Sequence, residues 1–470
     1  MIFLNRHDEL ARLRRVTMSA EGGLVVVYGR RRIGKTRLLL EWSREAGGLY
    51  TVADQSASEI QRRYFAEAVA TRLPGFADVE YRDWPGLLAR LARDAAAVGW
   101  RGPVIFDELP YLVGAAPELP SVLQRWLDHD AKQSRLVVAV AGSSQRMMQG
   151  LVLAPDAPLY GRAKELLDLH AIDAAYLGQA FGERSAARLV DLYTAWGGVP
   201  RYWELAREVA RDVFTQIDQL VLDPLGPLHR EPDRLLLEEL PPALETRPLL
   251  DAIGAGAHRV SEIAARMARP ATSLSRPLAR LVSMGLVRRE IPFGESEKAG
   301  KRSLYKIDDP FFRLWFRVVA PHRGALAAGS PSIRRDLLER HWPALAAQAW
   351  EELCRARLVG VAGESWDPGS RWWRGNEREW DVVSRTRDGR KLLLGEARWS
   401  AKPYGVRETE RALSELSARP LPDVAREHAP DDIVRCLFVP ALAASAAARA
   451  RPAGPSIVTV EDLFVQVGER

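Results

Sequence analysis

Eight residues, Gly29-Arg30-Arg31-Arg32-Ile33-Gly34-Lys35-Thr36, have the types and spacing to hold a chain of phosphates. The two glycines let the backbone curl so that successive N–H groups point inward at phosphate oxygens. Lys35 adds a point charge for the β- and γ-phosphates, and the Thr36 hydroxyl can ligate Mg²⁺. Such a loop works between a strand and a helix, because the helix N-terminus turns its positive end to the same anion. Both flanks are present: Val25-Val26-Val27-Tyr28 is an apolar, β-branched run, and Arg37 to Ser43 is a leucine-rich helical stretch. The pattern predicts nucleotide binding, with ATP and Mg²⁺ as cofactors.

A second strand, Pro103 to Phe106, ends in Asp107-Glu108. Asp107 is placed to hold Mg²⁺ through water, and Glu108 to orient or deprotonate the attacking water. The alternative is an acidic pair capping the following helix. A third strand, Arg135 to Ala141, ends in Gly142-Ser143-Ser144, whose hydroxyls could sense the γ-phosphate or simply make a turn.

The chain opens with Phe3-Leu4-Asn5-Arg6-His7-Asp8-Glu9-Leu10, and later carries Tyr160-Gly161-Arg162 and Trp196-Gly197-Gly198-Val199-Pro200-Arg201-Tyr202. With the phosphate loop, these stretches resemble the archaeal-type P-loop ATPases of the AAA+/STAND-like class. The resemblance implies that Arg162 is a γ-phosphate or inter-subunit arginine, the latter in a homo-oligomer, and that the Gly-Gly-Val-Pro stretch begins a lid. A structural salt bridge is the alternative for Arg162.

At 470 residues, 47% hydrophobic and 27% charged, the composition is that of a globular chain of about three domains. No apolar run approaches 18 residues, so a membrane span is not expected, and the N-terminus lacks the features of a secretory signal. A cytoplasmic location is expected. Cys354 and Cys436 have no metal-site spacing. A net charge of +6 is compatible with nucleic acid without establishing it.

Proline- and glycine-rich breaks at 223–232 and 320–332 divide the second half. Between them, helical patterns ending near Gly254, Met267 and Gly285 precede two strands, Leu286 to Ile291 and Ser303 to Ile307, joined by a partly basic loop. This order reads as a winged helix-turn-helix. Ser261 can cap its second helix, and Thr272 or Ser273 its third. The third helix would offer Arg276 and Arg280 to DNA and the wing Lys301 to the backbone. Glu295 and Glu297 favour the alternative of a protein-binding module.

The last 140 residues or so carry a helix from near Trp342 through Trp350-Glu351-Glu352-Leu353, then strands Glu377 to Ser384, Lys391 to Trp399, Ile433 to Val439 and Ser456 to Val460. Glu379 and Asp381 share a face of one strand, and Glu396 and Arg398 a face of the next. The order and the Asp381 … Glu396-x-Arg398 pattern resemble a PD-(D/E)xK restriction-endonuclease-like domain. That resemblance implies Mg²⁺ ligation by Asp381 and Glu396, assisted by Glu351 or Glu379, with catalysis by metal-activated water. The motif lysine is here Arg398, which keeps its proton at any working pH but could still neutralise charge on a scissile phosphate. Lys391 or Lys402 could supply the missing role; otherwise the domain is a degenerate binding module.

The expected fold class is therefore α/β. Residues 1–175 form a P-loop ATPase core with a parallel sheet, 176–232 a helical lid, 233–320 a winged helix-turn-helix, and 330–470 the nuclease-like domain. Two functions remain open: a DNA-associated ATPase, and a nucleotide-gated signalling scaffold whose C-terminal domain binds protein.

Overall fold

The computed structural model describes residues 3–239, 246–296, 298, 300, 302–448 and 455–464. Its backbone forms two compact units, residues 1–172 with 199–201, and residues 173–198 with 202–470.

The first unit is built on five parallel strands: β1 (Gly23–Tyr28), β2 (Leu49–Val52), β3 (Val104–Asp107), β4 (Val137–Gly142) and β5 (Ala163–Asp168), in the order β2-β3-β4-β1-β5. Helices cover both faces of a parallel sheet, so its strands are apolar throughout; every residue of β3 and β4 is buried. One face packs Leu24, Val26, Phe106, Val138 and Val140 against Phe65 and Trp84. Phe65 stacks on Phe106 with centroids 4.9 Å apart and meets Trp84 edge-on at 5.9 Å. Full burial of each such side chain stabilises the unit by about 1.5–3 kcal/mol. Because all five strands run the same way, their C-terminal ends lie along one edge of the sheet. The loops after β1, β3 and β4 therefore meet there, with β4 between β1 and β3.

The second unit contains the helices Arg247–Gly254, Val260–Met267 and Ser275–Ser283, followed by the antiparallel hairpin β6 (Val287–Glu290) and β7 (Leu304–Ile307). The second of these helices is capped from within. Glu262 accepts the N–H groups of His258 (2.8 Å) and Arg259 (3.0 Å), so Ser261 is not the cap. The third is entered through a 3₁₀ turn, Ala271–Leu274, rather than capped at Thr272 or Ser273. The break expected over 320–332 is mostly helix: Ala320–Ala328 continues from Trp315–Val319 and kinks at His322, directly after Pro321.

The helix Pro331–Ala356 leads into a mixed sheet of β8 (Ser370–Trp372), β9 (Trp380–Arg385), β10 (Leu392–Ala397), β11 (Ile433–Phe438) and β12 (Ser456–Val458), ordered β12-β11-β10-β9-β8. β8, β9 and β10 pair antiparallel; β10, β11 and β12 pair parallel. The fold class is α/β, as the sequence pattern implied.

A charged layer ties the hairpin to the long helix. The fully buried Glu352 carboxylate is paired with Arg288 of β6 and, at 2.7 Å, with Arg313. Burial opposes its charge, but the two guanidinium groups outweigh that and bring its pKa down to about 2. Beyond β6, the Phe293 N–H donates to the Arg371 carbonyl of β8 (2.8 Å), and the Arg385 guanidinium lies 5.4 Å from the Phe293 ring centre.

Candidate functional site: the phosphate loop and its acidic strand end

β1 ends at Tyr28, and the chain turns through Gly29 (φ 142°) and Gly34 (φ 97°), backbone angles that side chains rarely adopt. A Cβ on Gly29 would lie 2.5 Å from the Leu169 carbonyl oxygen, so no other residue fits there. The helix Lys35–Ala46 starts directly after Gly34. The buried Lys35 ammonium donates to the carbonyls of Gly29 (2.8 Å) and Arg30 (3.1 Å), which curls the lysine over the loop it serves. Arg6 holds the loop from behind. Its guanidinium, buried and itself in left-handed backbone, donates to the carbonyls of Ile33 (3.1 Å) and His170 (2.5 Å) and pairs with Glu9 (2.8 Å).

The Thr36 hydroxyl donates to Asp107 Oδ2 (2.8 Å), bringing together the end of β3 and the start of the loop's helix. The same oxygen accepts from the Tyr50 hydroxyl (2.7 Å), and Asp107 Oδ1 accepts the Glu108 N–H (2.9 Å). With its proton turned to Asp107, Thr36 leaves its lone pairs for a cation, the orienting arrangement expected beside a bound Mg²⁺. Burial and the neighbouring Asp107 carboxylate push the Tyr50 phenol well up, so it stays a donor. Glu108 sits at φ 54°, and Ser143 fixes its carboxylate: the hydroxyl donates to Oε1 (2.5 Å) and the N–H to Oε2 (3.2 Å). Ser143 thus anchors the candidate base. Neither Tyr50 nor Arg6 was singled out by role from the sequence.

Arg162 lies elsewhere. It precedes β5, whose Ala163 pairs with Leu24 at the start of β1, whereas the phosphate loop follows Tyr28. Five residues of strand, roughly 16 Å, separate the two ends. Arg162 is bound to Asp128 through Nε–Oδ1 (2.9 Å) and Nη2–Oδ2 (3.0 Å) and to the Pro158 carbonyl (3.1 Å). A γ-phosphate contact within its own chain is thereby excluded, and the salt-bridge alternative fits.

In the second unit, Arg276 is exposed and Arg280 half-buried on the helix Ser275–Ser283; Lys301 and Glu297 lie outside the described residues.

In the C-terminal domain Asp381 is brought beside Glu351, whereas Glu396 is surrounded by arginines. Trp380 and Val383 both enter the apolar cluster containing Leu392, Leu394, Ala412 and Leu416, so the alternation of β9 slips between them. The slip turns Asp381 towards Glu351 and Arg355 of the helix Pro331–Ala356, with Oδ2 accepting the Ala397 N–H (3.0 Å). Burial, then the Glu351 carboxylate, raises Asp381 to about 6. Glu396 shares the other face with Leu392 and Leu394 and is held by arginines. Arg398 donates to it at 2.9 Å, Arg378 approaches at 3.4 Å, and the buried Arg419 pairs with its second oxygen. Arg398 also binds Glu415 (2.7 Å), and these bonds outweigh burial to keep it charged.

Lys391 pairs with Glu364 at the opposite end of β10, and Glu379 pairs with Arg371. Among the described residues, no three His, Cys, Asp or Glu side chains are grouped to hold a metal. Of the expected Mg²⁺ set of Asp381 and Glu396 with Glu351 or Glu379, Asp381 thus lies beside Glu351, while Glu396 and Glu379 are paired with arginines.

Sheet, loop and strand-end acids define a P-loop ATPase. Residues 3–205 match a family described as an ATPase domain predominantly from Archaea, and residues 315–412 one described as Archaea bacterial proteins of unknown function. An uncharacterized protein of Methanocaldococcus jannaschii is 26% identical over 405 residues, 85% of this chain and 88% of that one. Among solved structures, the Walker-type ATPase of Pyrococcus abyssi is similar at 19% identity, covering 67% of this chain and 96% of that one with a TM-score of 0.52. The ORC2 protein of Aeropyrum pernix, solved as ADPNP and ADP complexes, matches at 13% identity over 72% and 95% of the two chains, with a TM-score of 0.44. Residues 3–205 thus form a domain that matches the archaeal-type ATPase family model. No helix among the described residues is long and apolar enough to cross a membrane.

Proposed function

We propose that the chain is an ATP-driven switch associated with DNA, whose C-terminal domain binds without cutting. The observation that carries the ATPase half is the Thr36–Asp107 hydrogen bond at 2.8 Å with Glu108 clamped beside it by Ser143. Thr36 and Asp107 would hold Mg²⁺, which supplies charge neutralisation on the transferring phosphoryl group. The loop N–H groups of residues 29–36 and Lys35 bind the phosphates, and Glu108 orients water and accepts its proton. Hydrolysis proceeds by in-line attack of that water on the γ-phosphorus, with the diphosphate oxygen leaving.

The DNA half rests on the exposed Arg276 with Arg280 on the same helix. The hydrogen bond from Phe293 to β8 favours a second reading, a signalling scaffold, because it ties the base of the wing to the C-terminal sheet. ATP turnover measured with and without single- and double-stranded DNA separates them. Stimulation lost on replacing Arg276 and Arg280 by Ala supports the first reading; DNA-independent turnover supports the second. The non-cutting C-terminal domain rests on the arginines around Glu396. Mg²⁺- or Mn²⁺-dependent cleavage by the parent chain, lost in Glu396→Ala, would overturn it.

A further inference from the structure

A cavity of about 60 Å³ lies within the second unit, where the end of the helix Arg247–Gly254 meets the turn Trp315–Val319 and the helix Pro331–Ala356. Its polar wall is drawn from separate elements. His258 comes from the loop before the helix Val260–Met267, Arg317 from the turn, and Gln348 from the long helix. Ile253, Ile307 and Leu345 make much of the rest apolar. At roughly 15 Å³ for each water, there is room for about four, the bulk of one small oxyanion.

Arg317 carries a charge that nothing in the wall balances. Its half-buried guanidinium makes no hydrogen bond or ion pair to any described residue. Arg313 also borders the cavity, but Glu352 holds it at 2.7 Å, and Arg288 shares that carboxylate. Burial, and then His322, Arg317 and Arg340, hold the neighbouring His341 below its ordinary value, so the company Arg317 keeps is cationic. Such a guanidinium takes an oxyanion through two of its N–H groups. It is also reachable. The Arg313 Nε is sealed in, whereas the unpartnered nitrogens of Arg317, the Gln348 amide and His258 Nε2 keep accessible surface.

His258 sets a further condition. The Tyr305 carbonyl, 3.1 Å from Nδ1, can only accept, so Nδ1 carries the proton of the neutral ring and Nε2 is an acceptor. Burial, then Lys306, lower the His258 pKa against the Tyr305 carbonyl, Glu262 and Glu290, so the ring is neutral at pH 7. The wall therefore offers donors from Arg317 and Gln348 and one acceptor from His258. A carboxylate or a sulfate answers the donors alone. Inorganic phosphate answers both, because it keeps a hydroxyl through neutral pH.

We infer that this cavity is a binding site for inorganic phosphate, whose oxygens accept from Arg317 and Gln348 and whose hydroxyl donates to His258 Nε2. The inference is independent of the nucleotide chemistry proposed above, since none of residues 29–36, Asp107 or Glu108 lines the cavity.

The test is a calorimetric titration of the full chain carrying Lys35→Ala, which removes the lysine through which the phosphate loop would hold either anion. Inorganic phosphate and sulfate are the probes, at about pH 7.5, one unit above the ordinary imidazole value. They share a shape and differ in the hydroxyl. Phosphate is expected to saturate the site and to bind at least about fivefold tighter than sulfate, the value of one hydrogen bond. Adding Arg317→Gln should weaken phosphate by about tenfold or more, the value of a hydrogen bond to a charged group. Gln348→Leu should weaken it as well, and His258→Ala should erase the preference over sulfate. An unchanged urea midpoint certifies the fold of each variant, and Gln348→Leu carries the test if Arg317→Gln fails to fold. The site is overturned if phosphate does not saturate, if sulfate binds equally well, if either folded variant at 317 or 348 binds phosphate as the background chain does, or if the preference survives His258→Ala.

Discussion

Replacing Glu352 by Gln removes one negative charge from a fully buried site while keeping the shape of the side chain. Its carboxylate faces Arg288 and Arg313. A pKa brought from 4.5 to about 2 corresponds to about 3 kcal/mol of stabilisation at neutral pH. Removing one partner of a buried pair costs about 3–5 kcal/mol, which agrees with that figure at its lower end. The lower end is expected because Arg288 retains Glu290 at 2.9 Å and Asp308 at 3.5 Å. Arg313 retains only long bonds among those of its Nη2, to the carbonyls of Ile307 and Asp308, both at 3.5 Å.

The sign with pH follows from the lowered value. The contribution of Glu352 is complete above pH 4.5 and is lost as pH falls towards about 2. Urea unfolding of parent and Glu352→Gln at pH 7 should differ by about 3 kcal/mol, and the gap should narrow progressively below pH 4.5. Glu351→Gln, one residue away with only a 3.5 Å pairing to Arg355, serves as the control and should stay within about 1 kcal/mol. A Glu352→Gln variant within 1 kcal/mol of the parent at pH 7, or a gap independent of pH, would refute the role given to this carboxylate.

Three further outcomes are expected. Mg·ATP at 100 times its dissociation constant should stabilise the parent by about 2.7 kcal/mol, and Lys35→Ala should lose most of that thermal shift. Arg162→Ala should cost no more than about 1 kcal/mol and leave ATP turnover within twofold of the parent, because its salt bridge with Asp128 is partly exposed and lies at the N-terminal end of β5; a hundredfold loss of turnover would instead mark it as an arginine acting across subunits. Arg398→Lys should leave the chain without Mg²⁺-dependent nuclease activity, since Asp381 remains turned towards Glu351 whatever stands at position 398; cleavage gained by that single change would contradict the separation of the two acids.

The sequence was legible where chemistry depends on neighbours along the chain. Gly29 to Thr36 and Asp107-Glu108 are local patterns, and parallel strands carry local patterns to one edge of the sheet. Tyr50 was not legible, because a tyrosine in a short strand gives no sign that its hydroxyl will reach an aspartate 57 residues on. Arg162 was read through a resemblance, and only the pairing of Ala163 with Leu24 reveals which end of the sheet it occupies. In the C-terminal domain, a strict two-residue alternation places Asp381 with the residues two apart from it. The slip between Trp380 and Val383 breaks that rule, and no residue type announces it. Glu351 drew attention as a possible metal ligand, whereas its neighbour Glu352, one helical step round, faces the buried arginines.

The central claim, hydrolysis of ATP at the strand end formed by Asp107 and Glu108, is tested most directly by single-turnover hydrolysis of Mg·ATP by the parent chain and by Glu108→Gln, with ATP binding measured alongside. The expected result is unchanged binding with turnover reduced by about 10²–10⁴, the usual contribution of a positioned base. Parent-like hydrolysis by Glu108→Gln, with binding intact, would contradict it.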